Sequence, residues 1–197
     1  MNLAMQAPAA EVYFDNAKVS SAINPGTWAS SYSSLTPGNF AVNFKKSGAD
    51  SLMATISTNT YDSAKFYSLI LYNDQPSSAK AYRTIDDFSL ITYDKPYIRF
   101  FHLSQNTPPV DFYLNATKLA SGRGLADNII TPEFNSFTGY NIGIYSVQAK
   151  LAGTDSVVAS TNNVSLQAGG AYTIFLLGLT KGTGNNVLAI NFIQAQK

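Results

Sequence analysis

Phe40, Val42 and Phe44 alternate with Ala41 and Asn43, and further along Tyr145, Val147, Ala149 and Leu151 repeat the pattern. Period-two alternation places every second side chain on one face, the signature of a half-buried strand. The stretches 52–56 and 66–72 are rich in β-formers and bounded by Gly, Asn, Asp and Ser. Ser47-Gly48-Ala49-Asp50, Ala152-Gly153-Thr154-Asp155, Asp15-Asn16-Ala17 and Asn115-Ala116-Thr117 read as hairpin turns. No segment sustains an i, i+3, i+4, i+7 apolar stripe, so helix content should be small. About seven short strands per hundred residues point to a β-sandwich.

The chain also repeats itself. Pro8, Glu11, Tyr13 and Lys18 recur as Pro108, Asp111, Tyr113 and Lys118, an offset of 100. From Gly38 onward the offset becomes 105: Gly48-Ala49-Asp50-Ser51-Leu52 matches Gly153-Thr154-Asp155-Ser156-Val157, Tyr67-Ser68-Leu69 matches Tyr172-Thr173-Ile174, and Ile85 matches Ile190. Copy two therefore carries five extra residues between positions 120 and 143. The expectation is an all-β chain of two tandem Ig-like sandwiches, residues 1–92 and 96–197. A short Pro-containing linker, Thr92–Pro96, joins them. Ile98–Leu103 opens copy two as a strand, and its counterpart at or before Asn2–Met5 is shortened. Leu166-x-x-Gly169-x-x-Tyr172 has the form of a tyrosine corner, with Tyr67 at the matching place in copy one.

Composition narrows the function. Charged residues are only 13% and the net charge is +1, which argues against a nucleic-acid or anionic-membrane binder. Ser, Thr and Asn fill 54 of the 197 positions and supply the polarity instead, which suits an exported β protein. Without Cys there are no disulfides, thiolate metal sites or cysteine nucleophiles. One His leaves little room for zinc or Ser-His-Asp chemistry. No apolar run reaches the ~18 residues of a membrane helix. Met1–Ala7 has no basic region and is not an intact signal peptide, so the expectation is an export signal removed ahead of it, with room for a lipid anchor in the precursor.

The second copy supports a more specific statement. Ile98-Arg-Phe-Phe-His-Leu, Pro109-Val-Asp-Phe-Tyr-Leu and Ala168-Gly-Gly-Ala-Tyr172-Thr-Ile-Phe-Leu-Leu-Gly178 together resemble the bacterial family DUF4397, a domain of unknown function. Copy one resembles it more weakly, with Asn73 where the family usually has Gly. The resemblance implies a secreted or lipid-anchored surface protein, of a kind common in Bacteroidetes, with Ig-like domains and no assigned catalytic residue.

Candidate chemistry is sparse. His102 lacks partners for a base or metal role and reads as packing at a domain edge. Asp86, Asp87 and Asp94 read as solvated strand-end acids rather than a calcium site, because no calcium-loop spacing accompanies them. Gly178–Gly184 lacks the Gly-Lys-Ser/Thr ending of a phosphate loop and reads as a turn. Asp50-Ser51, Asp62-Ser63 and Asp155-Ser156 match an O-glycosylation acceptor of exported Bacteroidetes proteins; a turn leading into a strand explains two of the three. The copies differ most between the first hairpin and Gly38 or Gly143. Trp28 and Tyr32 lie there in copy one; Arg123, Asp127, Glu133, Phe134, Phe137 and Tyr140 lie there in copy two. Trp28, Tyr32, Arg123 and Tyr140 are the candidate ligand-binding residues, with no metal or cofactor. The expected function is a non-catalytic surface or secreted module that binds a protein or glycan, extracellular or in the cell envelope. The alternatives are a structural spacer of an envelope lipoprotein and, further off, a carbohydrate-active enzyme using carboxylates.

Overall fold

A computed structural model describes residues 1–195. It is all-β, with three short 3₁₀ turns and no α-helix among the described residues. Two compact units divide at Asp86/Asp87. Residues 87–92 therefore go with the second unit, where Phe88 stacks on Phe137 at 5.7 Å and the Thr92 side chain meets the Tyr97 hydroxyl at 2.7 Å.

In the first unit, β1 (Ala10–Phe14), β2 (Ala17–Lys18), β3 (Gly38–Lys46) and β4 (Leu52–Tyr61) form one sheet in the order β2-β1-β3-β4. β5 (Phe66–Gln75) and β6 (Ser78–Asp86) form the other. Alternate residues turn inward as the pattern predicts, so Val12, Val42, Phe44, Ile56, Tyr61 and Leu71 share one core.

The second unit begins with β7 (Tyr97–His102), followed by β8 (Val110–Leu114), β9 (Thr117–Arg123), β10 (Thr138–Gly139), β11 (Gly143–Leu151), β12 (Val157–Leu166), β13 (Ala171–Leu177) and β14 (Ala189–Ala195). Its sheets run β12-β11-β8-β9 and β10-β7-β13-β14. The core draws Phe112, Leu114, Val147 and Leu166 from one and Ile98, Phe100, Ile174 and Leu176 from the other. Each unit thus closes two sheets over a shared interior, consistent with an Ig-like sandwich.

The repeat extends to irregularities. Bulges fall between Phe40 and Val42 and again between Tyr145 and Val147. Asp15 and Asn115 turn the first hairpin at φ 50° and 51°. Each side-chain oxygen accepts the amide of Ala41 or Ser146 at 2.9 Å. Asn and Asp tolerate this left-handed backbone because they can bond locally. Both tyrosine corners form: the Tyr67 hydroxyl accepts Asp62 N–H at 2.9 Å and Tyr172 accepts Gln167 N–H at 3.0 Å.

One register departs from expectation. Tyr67 pairs with Ile85, whereas Tyr172 pairs with Gln194, so Ile85 corresponds to Gln194 and not to Ile190. The longer β13–β14 connection, which holds a 3₁₀ turn at Gly184–Asn186, shifts the alignment.

Candidate functional site

The first strand positions the divergent segment in each unit. In the second unit β7 runs parallel to β13, with His102 opposite Leu176. In the first, Asn2 makes a single parallel bridge to Leu71. Asn2 and His102 are therefore equivalent, and both are fully buried. Asn2 Nδ2 donates to Pro8 O at 3.1 Å; His102 Nε2 lies 3.3 Å from Pro108 O. Gly26 N–H donates to Asn2 O and Ala126 N–H to His102 O, both at 2.8 Å, and both residues sit at positive φ. The two segments thus leave the sheets alike, and the five extra residues lie beyond Ala126. The His reading changes accordingly, from a domain-edge residue to a fully buried core member. Burial pushes its pKa below the ordinary histidine value, and Nδ1 has no hydrogen-bond partner.

The longer segment of the second unit is braced by two arginines. Arg123, at 4% exposure, forms a forked ion pair with Asp127 at 2.7 and 2.8 Å, and its guanidinium lies 3.8 Å over the Phe134 ring. Arg99 donates to the Thr173 hydroxyl at 2.8 Å and to Asn135 O at 3.1 Å, beneath Phe137 at 4.3 Å. Asn128 and Asn135 bond each other at 2.9 Å. Planar, charge-assisted donors of this kind fix a loop that has no regular strand partner. They leave Ile129 and Ile130 at the tip 45% and 86% exposed.

Of the four candidate residues, Trp28 and Tyr32 belong to the first unit and Arg123 and Tyr140 to the second. Trp28 is half-buried. Tyr32 donates its hydroxyl to Asp86 at 2.5 Å and sets its ring edge on Phe66. Arg123 is buried as described, so its place is that of a brace within the loop. Tyr140 packs against the core and its N–H donates to Pro96 O. The exposed large apolar side chains of the segment are Ile129 and Ile130, next to exposed Pro132 and Glu133; sequence reasoning passed over this pair, for which an apolar doublet near a Pro in an inserted loop is the signal available.

The carboxylates also sort differently from expectation. Asp86 is 2% exposed and accepts hydroxyls from Tyr32 and Ser68, so it is no solvated acid. Asp87 is exposed and accepts Ser89 N–H; Asp94, also exposed, accepts the Thr92 hydroxyl. Among the described residues no three His, Cys, Asp or Glu side chains gather as a metal site. The repeated acids have a structural task. Lys118 and the Gly122 amide hold Asp111 down to about pKa 2, and Lys18 lowers Glu11 in the same position. Ser51, Ser63 and Ser156 are all exposed.

A family model for a domain of unknown function, DUF4397, matches residues 1–113 and again 96–192. No curated protein matches the chain. The matches span both structural units, and the chain belongs to the DUF4397 family, which it carries as two tandem copies.

Proposed function

We propose that the protein is a non-catalytic recognition module of the cell surface or secreted space, whose contact element is the segment at 127–137 in the second unit and the shorter segment around Trp28 in the first. One observation carries the reading: the copies share bulges, turn residues and corners but diverge in this segment, where two buried arginines hold the apolar tip Ile129–Ile130 in place. Rigid loops that present apolar side chains lose little conformational entropy on binding. The non-catalytic reading draws support from the donor set. The single imidazole is buried against a Pro carbonyl, and the best-held carboxylate, Asp111, is tied to Lys118. The low charge and the Ser/Thr/Asn-rich composition support an extracellular or envelope location, as a binding module or a spacer.

A glycan array and a pull-down from surface extracts, each run with the parent chain, Ile130→Ser and Trp28→Ala, test the proposal. Capture of a glycan or protein that falls about tenfold with either variant supports it. Capture that both variants leave unchanged removes the segment from the proposal, and capture in neither assay leaves the spacer reading. Carboxylate-dependent turnover of a glycoside, lost on mutating one Asp or Glu, would end the non-catalytic reading.

A further inference from the structure

The turn at the tip of the braced segment, residues 129–133, offers a chemically one-sided surface. From Gly124 to Gln148 the chain has no Lys or Arg, and its only charges are Asp127 and Glu133. Asp127 is bonded to Arg123 and to the Gly124 amide. Asn128 donates to Asn135 Oδ1 and Asn135 to Asn128 O, both at 2.9 Å. The Phe134 ring lies under Arg123, and the Phe137 ring packs on Phe88 and Arg99. The acids, amides and rings around the turn are thus engaged within the unit. What the turn itself presents to solvent is Ile129, Ile130, Pro132 and Glu133, and Glu133 is in no ion pair among the described residues. Its backbone is fixed: Ile129 N–H donates to Ala126 O at 3.0 Å, and the amides of Ile130 and Thr131 both donate to Asp127 O, at 3.1 and 2.9 Å.

We propose that this turn docks into a protein partner, in an apolar cleft rimmed by Lys or Arg. The inference rests on the contact-element reading above and narrows its ligand from glycan or protein to protein. A saccharide is held by an open aromatic face and by polar side chains aimed at its hydroxyls, and the turn presents neither. Two isoleucines on a fixed backbone instead fill a concave apolar site, with little rotamer freedom to lose because branching at Cβ stiffens χ1. A bilayer is disfavoured too. Interfacial segments carry Lys or Arg beside their apolar side chains, where this turn carries an acid. Glu133 then sets the sign of the rim: a cation beside the cleft is attracted and a carboxylate repelled.

The test is an NMR titration of the full chain with millimolar amino-substituted β-cyclodextrin, a minimal apolar cavity with a cationic rim. The unsubstituted ring, a carboxylated ring and maltoheptaose, an open chain of the same sugar units, are run beside it. The Ile129 and Ile130 methyl signals shift with the amino ring, which binds about threefold more tightly than the unsubstituted one, and the carboxylated ring binds least. Glu133→Gln levels the three rings. Ile130→Ser, at a position exposed enough to change without unfolding the unit, abolishes the shifts. An equal response to maltoheptaose assigns the turn to a glycan and overturns the proposal. So does a response indifferent to the charge of the rim, or uptake of the parent chain onto phosphatidylcholine vesicles that Ile130→Ser abolishes. Amide exchange in the same samples separates the two readings. Protected Ala126, Ile129 and Thr131 amides without methyl shifts sink the docking proposal alone, whereas unprotected amides sink the rigid contact element along with it.

Discussion

Ser68 and Thr173 occupy the same place in the two units, yet the first serves an anion and the second a cation. In the first unit the hydroxyls of Ser68 and Tyr32 converge on Asp86. In the second Thr173 accepts from Arg99, whose guanidinium lies between Phe101 at 4.8 Å and Phe137 at 4.3 Å. A hydroxyl both donates and accepts, so one scaffold position stabilises either sign of buried charge without a change of backbone. The partners then dictate the segment above: Tyr32 reaches an acid, whereas Phe137 offers a ring face to a cation. Divergence between the copies is coupled to the sheet beneath it.

The largest effect expected from this comparison is at the end of β13. Gly178 sits at φ 87° with Val187 O 2.3 Å from where a Cβ would stand. Gly178→Ala must move backbone, and should cost the second unit at least about 3 kcal/mol in urea unfolding. The first copy solves the same place with Asn73, which accepts Gln6 N–H at 2.9 Å and donates to Ser78 O. Asn73→Gly should cost the first unit only about 1–2 kcal/mol. Equal losses would mean that the two connections are not held in the different ways described.

Next come the buried charges. Arg123→Ala leaves Asp127 without its forked partner and should destabilise the second unit by about 3 kcal/mol. It should also raise amide exchange across residues 124–137. Asp86→Ala strands the hydroxyls of Tyr32 and Ser68, and a loss of at least about 1–2 kcal/mol is expected in the first unit. A loop that stays protected in Arg123→Ala would show that the second arginine, Arg99, suffices as a brace.

Tyr67→Phe and Tyr172→Phe remove equivalent corner bonds and should each cost about 1 kcal/mol, read as a shift in each unit's urea midpoint. Similar losses are expected because the bond is 2.9 Å in the first copy and 3.0 Å in the second. Unequal losses would show that Gly170, whose added Cβ would fall 2.5 Å from the Tyr172 ring, gives the second corner a closer fit than the first.

Much of this architecture was legible because local rules and the repeat agree. Period-two alternation, the Gly48 and Gly153 turns and the Tyr corners each follow from near neighbours in sequence. The register of β14 was not legible, since Ile190 resembles Ile85 while loop length, not residue type, sets the pairing. Asp86 looked solvated because its cover comes from Tyr32, 54 residues away. Arg123 looked available because a charged residue in a divergent loop is usually exposed, and only the turn at Ala126 brings Asp127 to its guanidinium, which Phe134 covers. The equivalence of Asn2 and His102 was within reach, as the offset of 100 that joins Pro8 to Pro108 extends six residues upstream.

That equivalence sets the smallest prediction. His102 is held neutral by burial, with the Pro108 carbonyl and Asp127 favouring its proton and Arg123 opposing it. Its folded pKa lies below the ordinary histidine value, so the unfolded chain takes up a proton first as pH falls. The second unit is therefore unpenalised above about pH 6.5 and loses stability progressively below it, until the folded pKa is reached. Asn at this position cannot titrate, and in the first unit Asn2 satisfies both Pro8 O and Ile23 O. His102→Asn should leave the core intact and make the unfolding midpoint of the second unit less dependent on pH between about 7.5 and 5. The comparison is made against the first unit, which has no His. If the parent and His102→Asn lose stability in parallel over this range, the buried imidazole is not the residue that sets the acid sensitivity of the second unit.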